Sequence, residues 1–293
     1  MTIGLIPNTF RSDILDIVKK IIQQLRQNDF DYILSISLHQ YKNYFDPKAK
    51  FQPHIELSKN SDMVVSIGGD GTMLNTAYEV RNSKTPILGV NFGKLGFLAE
   101  FDLNSFSEFL QDIKLKNYFI EERMALVANN KNLESTELYA INDIVIDKGP
   151  WPKMIEMTVK VDDDYVSTFS ADGLIIATPT GSTGYSLSTG GPIVNPKADV
   201  ITLSPIAPHT LTMRPLVISS NQKITILANS HSDKIQVSCD GQRVEYFNSP
   251  FEVSIEKAKN PVRLVHSNRT NYFEILRNKL FWGLDVRKSN NSN

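Results

Sequence analysis

Apolar and polar positions in the first third of the chain alternate between two spacings. Ile3 to Ile6 is a short apolar run typical of a strand, Ser12 to Gln27 has helical spacing, and Tyr32 to Leu38 is strand-like again. The apolar residues of the helical segment recur at i, i+3, i+4, i+7, i+8 and i+11, and they are Ile14, Ile17, Val18, Ile21, Ile22 and Leu25. These positions form one stripe, which predicts that the helix covers a face of a sheet.

A strand, a glycine-rich turn, a helix and another strand follow between residues 63 and 90. Met63 to Ile67 and Ile87 to Val90 are short apolar runs, and Thr72 to Asn82 has the spacing of a helix. Two strands joined through a helix pair in parallel within one sheet. A further helix is predicted from Ser105 to Leu115. The first part of the chain is therefore predicted to be a Rossmann-like parallel α/β domain.

From about Tyr118 the strand-like runs are joined by Asn, Ser, Pro and Gly turns instead of helices. They are predicted at 125–128, 141–146, 154–161, 165–169, 174–177, 216–218, 223–227, 235–238 and 251–255. Tyr272 to Leu280 is amphipathic and is predicted to be a helix that returns to the first domain, followed by a disordered polar tail at 288–293. The predicted fold class is α/β plus all-β, with domains at 1–117 (joined by 269–293) and 118–268.

The balance of charge excludes partners that need a strong overall field. The 293 residues include 31 Lys and Arg against 32 Asp and Glu, a net charge of −1, so we expect neither nucleic acid nor a membrane as partner. No apolar run approaches the roughly 20 residues that cross a bilayer. The single cysteine, Cys239, forms no internal disulfide, and no signal segment follows Met1. We therefore expect a cytoplasmic protein.

Gly68, Gly69, Asp70, Gly71 and Thr72 form a loop between a predicted strand and a predicted helix, where open parallel sheets bind ligands. Its glycines let backbone N–H groups approach phosphate oxygens, assisted by the positive end of the helix. A carboxylate in such a loop binds a divalent cation or accepts a proton from an attacking hydroxyl, so Asp70 is the candidate catalytic residue. A plain turn with Thr72 as helix N-cap is an equally good interpretation of this motif alone.

The segment from Asp172 to Val194 joins an apolar strand to a dense run of glycine and small hydroxyl residues. Hydroxyl groups and exposed backbone N–H groups bind polar ligands, and Tyr185 offers a flat face for an aromatic ring. The alternative is a hairpin connection rich in Ser, Thr and Gly. The length of the run favours a ligand-binding segment.

Six motifs in this order resemble the motif set of NAD kinases. They are GGDGT at Gly68, NFGKLGFL at Asn91, the Asn142-Asp143 pair, DGLIIATPTGSTGYSLSTGGPI at Asp172, PHTLTMRPLVI at Pro208 and DGQ at Asp240. The resemblance extends from about Ile3 to Leu284. GGDGT alone is also similar to the loops of diacylglycerol kinases, sphingosine kinases and phosphofructokinases, whereas the block at Asp172 is much more specific to NAD kinases.

The resemblance implies transfer of a phosphoryl group from ATP, or from another polyphosphate donor, to the 2′-hydroxyl of the adenosine ribose of NAD, which forms NADP. It implies Mg²⁺ as the divalent cation, with Asp70 as its candidate contact and as the proton acceptor, and Gly71 beside the ribose. The implied phosphate loop consists of Gly68, Gly69, Gly71 and Thr72. Family members assemble as dimers or tetramers, so a homodimer or homotetramer is implied, with substrate in the cleft between the domains.

The implied NAD-binding residues extend into the β-rich domain. Asn142 would bind the adenine and Asp143 the ribose hydroxyls. The others are Lys153, Asp172, Thr183, Gly184, Tyr185, Ser186, Leu187, Ser188 and Gln242.

Four positions depart from the common pattern of the family. Asp143 stands where many relatives have Glu, Ser170 where many have Arg, and Gly184 where Ala is usual. Lys153 replaces an Arg that is also common, so it keeps the charge but loses the bidentate fork. Ser170 leaves the preference for NAD over NADH open.

Two other functions stay open on the sequence alone. One is a GGDGT-type kinase of another alcohol, such as a lipid or a sugar phosphate. The other is a non-catalytic NAD sensor, which would bind NAD without forming NADP.

Three further features are interpreted as structural. Asp162 to Asp164 separates two strand-like runs and is predicted to be a solvated hairpin turn and not a metal site. Cys239 has no base nearby in the sequence, so an inert thiol is expected. Phe97 is expected to pack beneath the nucleotide pocket.

Overall fold

A computed structural model describes residues 1–93, 96–130, 138–269 and 271–281. The chain forms two compact units. One comprises residues 1–121 together with the segment that begins at Arg263, and the other comprises residues 122–262. The predicted polar tail at 288–293 lies outside the described residues.

The first unit begins with alternating strands and helices. Its elements are β1 (Thr2–Pro7), α1 (Ile14–Gln27), β2 (Asp31–Ser35), β3 (Phe51–Gln52), α2 (His54–Lys59), β4 (Met63–Ile67), α3 (Asp70–Glu79), β5 (Ile87–Val90), α4 (Leu103–Lys114) and β6 (Tyr118–Arg123). All six residues of the predicted stripe on α1 are buried, as expected for a helix that covers a sheet.

β4 and β5 are neighbouring parallel strands, as the strand–helix–strand pattern predicted. Ile67 pairs with Val90, and on its other side Ile67 pairs with Pro7 of β1. The carboxyl ends of β4 and β5 therefore lie side by side. Because of this register, the loop that follows β4 and the loop that follows β5 meet at one edge of the sheet.

The predicted strand from Tyr32 to Leu38 is too long. β2 ends at Ser35, and Ile36–Tyr44 forms 3₁₀ turns. The Ser35 hydroxyl accepts a hydrogen bond from the Ser37 backbone N–H, so this side chain caps the turn. The prediction was wrong because an apolar run does not reveal a serine that ends a strand by local hydrogen bonding.

The second unit consists almost entirely of antiparallel strands. Its elements are β7 (Leu126–Asn129), β8 (Leu138–Ala140), β9 (Asp143–Asp147), β10 (Ile155–Val161), β11 (Asp164–Ala171), β12 (Gly173–Ala177), α5 (Tyr185–Ser188), β13 (Val200–Ile206), β14 (Leu216–Ser219), β15 (Ile224–Asn229), β16 (Lys234–Cys239), β17 (Arg243–Asn248) and β18 (Phe251–Lys257). β10 and β11 are joined at the predicted hairpin turn, where Val161 pairs with Asp164.

These strands form two six-stranded sheets, ordered β11-β10-β15-β18-β7-β8 and β14-β13-β12-β9-β16-β17. Their shared core includes Met157, Ile226 and Ile255 from the first sheet and Ile146, Ile176 and Val237 from the second. The inward-facing residues alternate with outward-facing ones, as in other packed antiparallel sheets.

The chain returns to the first unit through β19 (Val262–Ser267) and α6 (Tyr272–Leu280). β19 completes a sheet of order β3-β2-β1-β4-β5-β19-β6. The predicted fold class, a parallel α/β part and a β-rich part, is confirmed. The domain boundaries at 117 and 268 stay a prediction, because compactness does not show that a segment folds alone. Within the described residues, none of the helices combines the length and the apolar character needed to span a membrane.

Candidate active site

The glycine loop begins where β4 ends. Gly68 has φ +156°, and a Cβ there would lie 2.2 Å from Thr72 Oγ1, so this position requires glycine. The Gly69 carbonyl accepts the backbone N–H groups of Thr72 and Met73, at 2.9 and 3.1 Å. Gly69 is therefore the N-cap of α3, and the helix starts at Asp70. The alternative with Thr72 as N-cap is wrong, because the helix begins two residues earlier than its apolar spacing indicated.

The Asp70 carboxylate is held by the backbone of the loop that follows β5. Its Oδ2 accepts the Phe97 N–H at 2.7 Å, and its Oδ1 accepts the N–H groups of Leu98 and Ala99, both at 3.0 Å. The parallel pairing of β4 with β5 places the two loops within reach of each other. Asp70 is half-buried and Gly71 is exposed. The loop thus fixes one carboxylate at the edge of the sheet, next to the start of a helix.

A carboxylate offers about four acceptor positions, of which three are filled here. Among the residues that the structure describes, Oδ2 accepts only the Phe97 N–H and so keeps a further acceptor position. Such an oxygen can accept a proton from a hydroxyl group or contact a cation. Phe97, expected beneath the pocket, takes part through its backbone, and its side chain is half-buried.

In the second unit, Asn142 and Asp143 stand at the start of β9 and pack against the segment after β12. The Asn142 carbonyl accepts the Thr178 N–H at 2.9 Å. A Cβ at Gly181 would lie 2.0 Å from the Asn142 carbonyl oxygen. At Gly184 a Cβ would lie 3.8 Å from both Asn142 Nδ2 and Asp143 Oδ2. The structure therefore brings together three of the predicted NAD-binding residues, Asn142, Asp143 and Gly184.

Asp143 is a buried carboxyl group, 4% exposed. Burial, together with the charge of the neighbouring Asp240, raises the pKa of Asp143 to about 7. Within the described part of the chain its carboxylate accepts no hydrogen bond from protein. A carboxylate in this state is an acceptor in search of donors, which the hydroxyl groups of a ribose can supply.

The predicted residues 183–188 form a turn and the short helix α5, and their side chains face different ways. Gly184, Tyr185 and Ser188 are exposed, Thr183 and Leu187 are half-buried, and Ser186 is buried. The Ser186 hydroxyl pairs with the Ser204 hydroxyl at 2.9 Å. The ring of Tyr185 is therefore open to a stacking partner, while the hydroxyl of Ser186 is used inside the unit.

Asp172 and Lys153 lie at the opposite end of the same strands from Asn142 and Asp143. In the antiparallel register Ala177 pairs with Asp143 and Gly173 pairs with Asp147. Four residues of strand separate these ends by about 14 Å. Asp172 Oδ1 forms an ion pair with Lys148 Nζ at 3.0 Å, and Lys153 is exposed. Within one chain, Asp172 and Lys153 are thus not part of the group around Asp143.

The remaining predicted residue, Gln242, is exposed in the turn between β16 and β17, where its backbone N–H donates to the Cys239 carbonyl at 3.1 Å. Cys239 itself is buried, and burial raises its pKa to about 12, so its thiol is inert as expected. Sequence reasoning missed Lys148, which pairs with Asp172, and Asp240, which contacts the Asn142-Asp143 turn. The DGQ motif was a signal for Asp240, but it indicated no contact.

Known proteins match this chain along nearly its whole length. The family model of the ATP-NAD kinase N-terminal domain matches residues 3–118, and that of the ATP-NAD kinase C-terminal domain matches residues 141–267. The NAD kinase of Chloroherpeton thalassium is 36% identical over 287 residues, which cover 97% of this chain and 98% of that protein. The NAD kinase of Prosthecochloris aestuarii is 38% identical over 285 residues, again 97% and 98% of the two chains.

Two solved structures are similar in fold. An NAD kinase from Archaeoglobus fulgidus in complex with ATP superposes with a TM-score of 0.76 at 30% identity, covering 96% of this chain and 99% of that one. Yeast NADH kinase complexed with NADH superposes with a TM-score of 0.87 over 98% of this chain and 89% of that one; at 24% identity this likeness concerns the fold alone. Together with the two family matches and the full-length relatives, these findings show that the chain belongs to the NAD kinase family, whose members are enzymes that phosphorylate NAD.

Proposed function

We propose that this chain transfers a phosphoryl group from ATP to the 2′-hydroxyl of the adenosine ribose of NAD, with Asp70 as the proton acceptor. The observation that carries the proposal is the cradle of three backbone N–H groups that fixes the Asp70 carboxylate while leaving an acceptor position on Oδ2. A fixed acceptor lowers the barrier by prepaid orientation, which matters because phosphoryl transfer asks for little covalent chemistry from the protein.

The donor phosphates would lie against the loop of Gly68, Gly69, Gly71 and Thr72. The helix that follows, α3, runs for ten residues from Asp70, and its positive end favours anions. Removing the side chain at Gly68 is required by the loop's own geometry, since a Cβ there would strike Thr72. The loop therefore allows a close approach of backbone to phosphate.

Mg²⁺ is the proposed metal, and Asp70 is the residue that would hold it. Mg²⁺ in kinases is bound by one or two carboxylates together with substrate phosphates and water, and no cage of protein ligands is needed. This fits the described residues, among which no group of three or more His, Cys, Asp or Glu side chains is placed to hold a metal ion. When bound, the cation neutralises charge on the donor phosphates.

Asn142 and Asp143 are proposed to bind the adenosine part of NAD. Asp143 is a buried acceptor without a protein donor among the described residues, and Asn142 Nδ2 lies beside it near Gly184. The exposed ring of Tyr185 would stack on a base. Thr183, Leu187, Ser188 and Gln242 are proposed to complete this part of the site. For Ser186 any contact would involve its backbone, because its hydroxyl pairs with Ser204.

Asp172 and Lys153 are proposed to contact NAD bound to a neighbouring copy of the chain. Their distance from Asp143, about 14 Å along the strands, supports a role at a second site. A homodimer or homotetramer in which one copy completes the site of another would use both strand ends. Lys148, paired with Asp172, would orient that carboxylate.

A cytoplasmic location is proposed as well. It is supported by the single cysteine of the chain, Cys239, which is buried and free.

The proposal is tested with purified protein, NAD, ATP and Mg²⁺, by assaying the product with a strictly NADP-dependent dehydrogenase. We expect NADP to form with ATP, and to cease when EDTA removes the metal. Inorganic polyphosphate in place of ATP identifies the donor. Tight NAD binding without NADP from either donor would instead favour the non-catalytic sensor.

A further inference from the structure

We propose that Asp240 is the positioning residue of the NAD site: its side chain shapes the Asn142-Asp143 turn, and its charge sets the state in which Asp143 meets the ribose. The inference rests on the proposed role of Asn142 and Asp143 in NAD binding. Asp240 contacts backbone and not substrate.

The Asp240 carboxylate gathers three successive backbone N–H groups. Oδ1 accepts from Ile141 at 2.9 Å, Asn142 at 2.7 Å and Asp143 at 3.3 Å. In return, the Asp240 backbone N–H donates to the Asp143 carbonyl at 2.9 Å. Successive N–H groups that converge on one oxygen form a concave backbone turn around it. The conformation that presents the Asn142 and Asp143 side chains is thus tied to a residue about a hundred positions later in the chain.

Asp240 is itself held firmly. Its side chain is fully buried, and its Oδ2 forms an ion pair with Arg243 Nη2 at 2.9 Å. The same Nη2 donates to the Tyr139 carbonyl at 3.0 Å, so Arg243 joins the end of β8 to the turn after β16. Asp240 has φ +54° and Gly241 φ +64°, a left-handed pair that turns the chain back so that the carboxylate points at residues 141–143. These contacts leave Asp240 little freedom to move.

Asp240 also places a negative charge beside Asp143. The charged or titratable groups that act here are Asp240 on the turn, Arg243 on β17 and Cys239 on β16. Burial and the Asp240 charge together raise the pKa of Asp143 to about 7. An ionised Asp143 accepts two ribose hydroxyl donors, whereas the protonated form accepts fewer, so NAD should bind more tightly as pH rises through this range.

The test compares NAD binding by calorimetry, without ATP, from pH 5.5 to 8.5. Asp240→Asn is expected to raise the dissociation constant for NAD at least ten-fold, with kcat at saturating NAD changed by less than three-fold. Because the negative charge near Asp143 is lost, the midpoint of the pH dependence should move about one unit towards lower pH. A residue that only supports the fold would not move this midpoint.

Asp162→Asn is the matched control. Asp162 also has a left-handed conformation, φ +53°, and its carboxylate accepts the Lys223 backbone N–H at 3.0 Å, in a hairpin turn away from Asn142. This variant should bind NAD as the parent protein does. If Asp240→Asn fails to fold, Arg243→Gln, which keeps the carboxylate but removes one partner, should show a smaller loss of affinity.

Asp143→Asn separates the two hypotheses. If Asp143→Asn weakens NAD binding while Asp240→Asn leaves affinity or the pH midpoint unchanged, the role of Asp240 is refuted and the NAD site stands. Unchanged NAD binding by Asp143→Asn would instead refute the proposed site itself.

Discussion

The carboxylate of Asp70 occupies the space that a side chain at position 96 would need. A Cβ on Gly96 would lie 1.7 Å from Asp70 Oδ1. The three residues after Gly96 donate the backbone N–H groups that hold this carboxylate. The glycine in the loop after β5 is therefore a condition for placing the candidate proton acceptor in the loop after β4.

Gly96→Ala should accordingly damage activity through sterics. The new methyl group forces either the Asp70 carboxylate or the loop to move, and overpacking of this kind costs roughly 1–3 kcal/mol. We expect kcat/KM for NAD to fall at least ten-fold. Gly93→Ala is the control in the same loop, because the nearest atom to its Cβ is Asn91 Oδ1 at 3.9 Å. Equal steady-state constants for the two variants would contradict this reading of the loop.

Gly181 and Gly184 offer a second matched pair, in the β-rich unit. A Cβ at Gly181 would lie 2.0 Å from the Asn142 carbonyl oxygen, a backbone atom, so Gly181→Ala must distort the NAD-binding turn. At Gly184 the nearest atom is the Gly181 carbonyl oxygen at 3.2 Å, which a small shift can relieve. We expect Gly181→Ala to raise the KM for NAD at least ten-fold and to lower the melting temperature. Gly184→Ala, which carries the residue usual in relatives, should stay within about three-fold of the parent KM. A larger defect in Gly184→Ala than in Gly181→Ala would show that the glycines act otherwise.

Asp143→Asn should stabilise the protein while impairing NAD binding. The pKa of Asp143 is raised from 3.8 to about 7 in the folded state, so the native protein loses stability as pH rises between these values and bears the full cost above pH 7. That cost is on the order of 4 kcal/mol at pH 8 and about a third of this at pH 5. Asparagine carries no charge and avoids it.

Urea unfolding of the Asp143→Asn variant at pH 5 and pH 8 checks this expectation, and its gain over the parent should be larger at pH 8. Asp162→Asn is the control with the opposite sign, because hydrogen bonds from Lys223 and Gln222 lower the pKa of the exposed Asp162. That variant should gain nothing at pH 8. A gain for Asp143→Asn that is equal at both pH values would mean that the buried charge is not its source.

The sequence predicted those parts of the fold that local pattern determines. The stripe on α1 and the bounds of β4, β5 and α6 follow from periodicity, and the pairing of β4 with β5 follows from the connecting helix. β13 (Val200–Ile206) was not predicted, because its run contains Pro205 near its end, which is unusual inside a sheet. Its pairing with β12 is a long-range contact that the local pattern does not contain.

The candidate site was predictable as a set of motifs but not as an arrangement. Asp70 could be found from its glycines, whereas its partners Phe97, Leu98 and Ala99 depend on which strands are neighbours. Likewise, the separation of Asp172 from Asp143 depends on the antiparallel register of β9 with β12. Registers of this kind are set by packing across the sheet, so no single segment reveals them.

The measurement that bears most directly on the account is NADP formation by Asp70→Asn. The variant should bind NAD with nearly the parent affinity, and its turnover with ATP and Mg²⁺ should fall by about 10²-fold or more, as expected when a proton acceptor is removed. Circular dichroism and NAD calorimetry on the same preparation establish that the variant is folded and binds. Turnover near that of the parent protein would contradict the assignment of Asp70 as the proton acceptor.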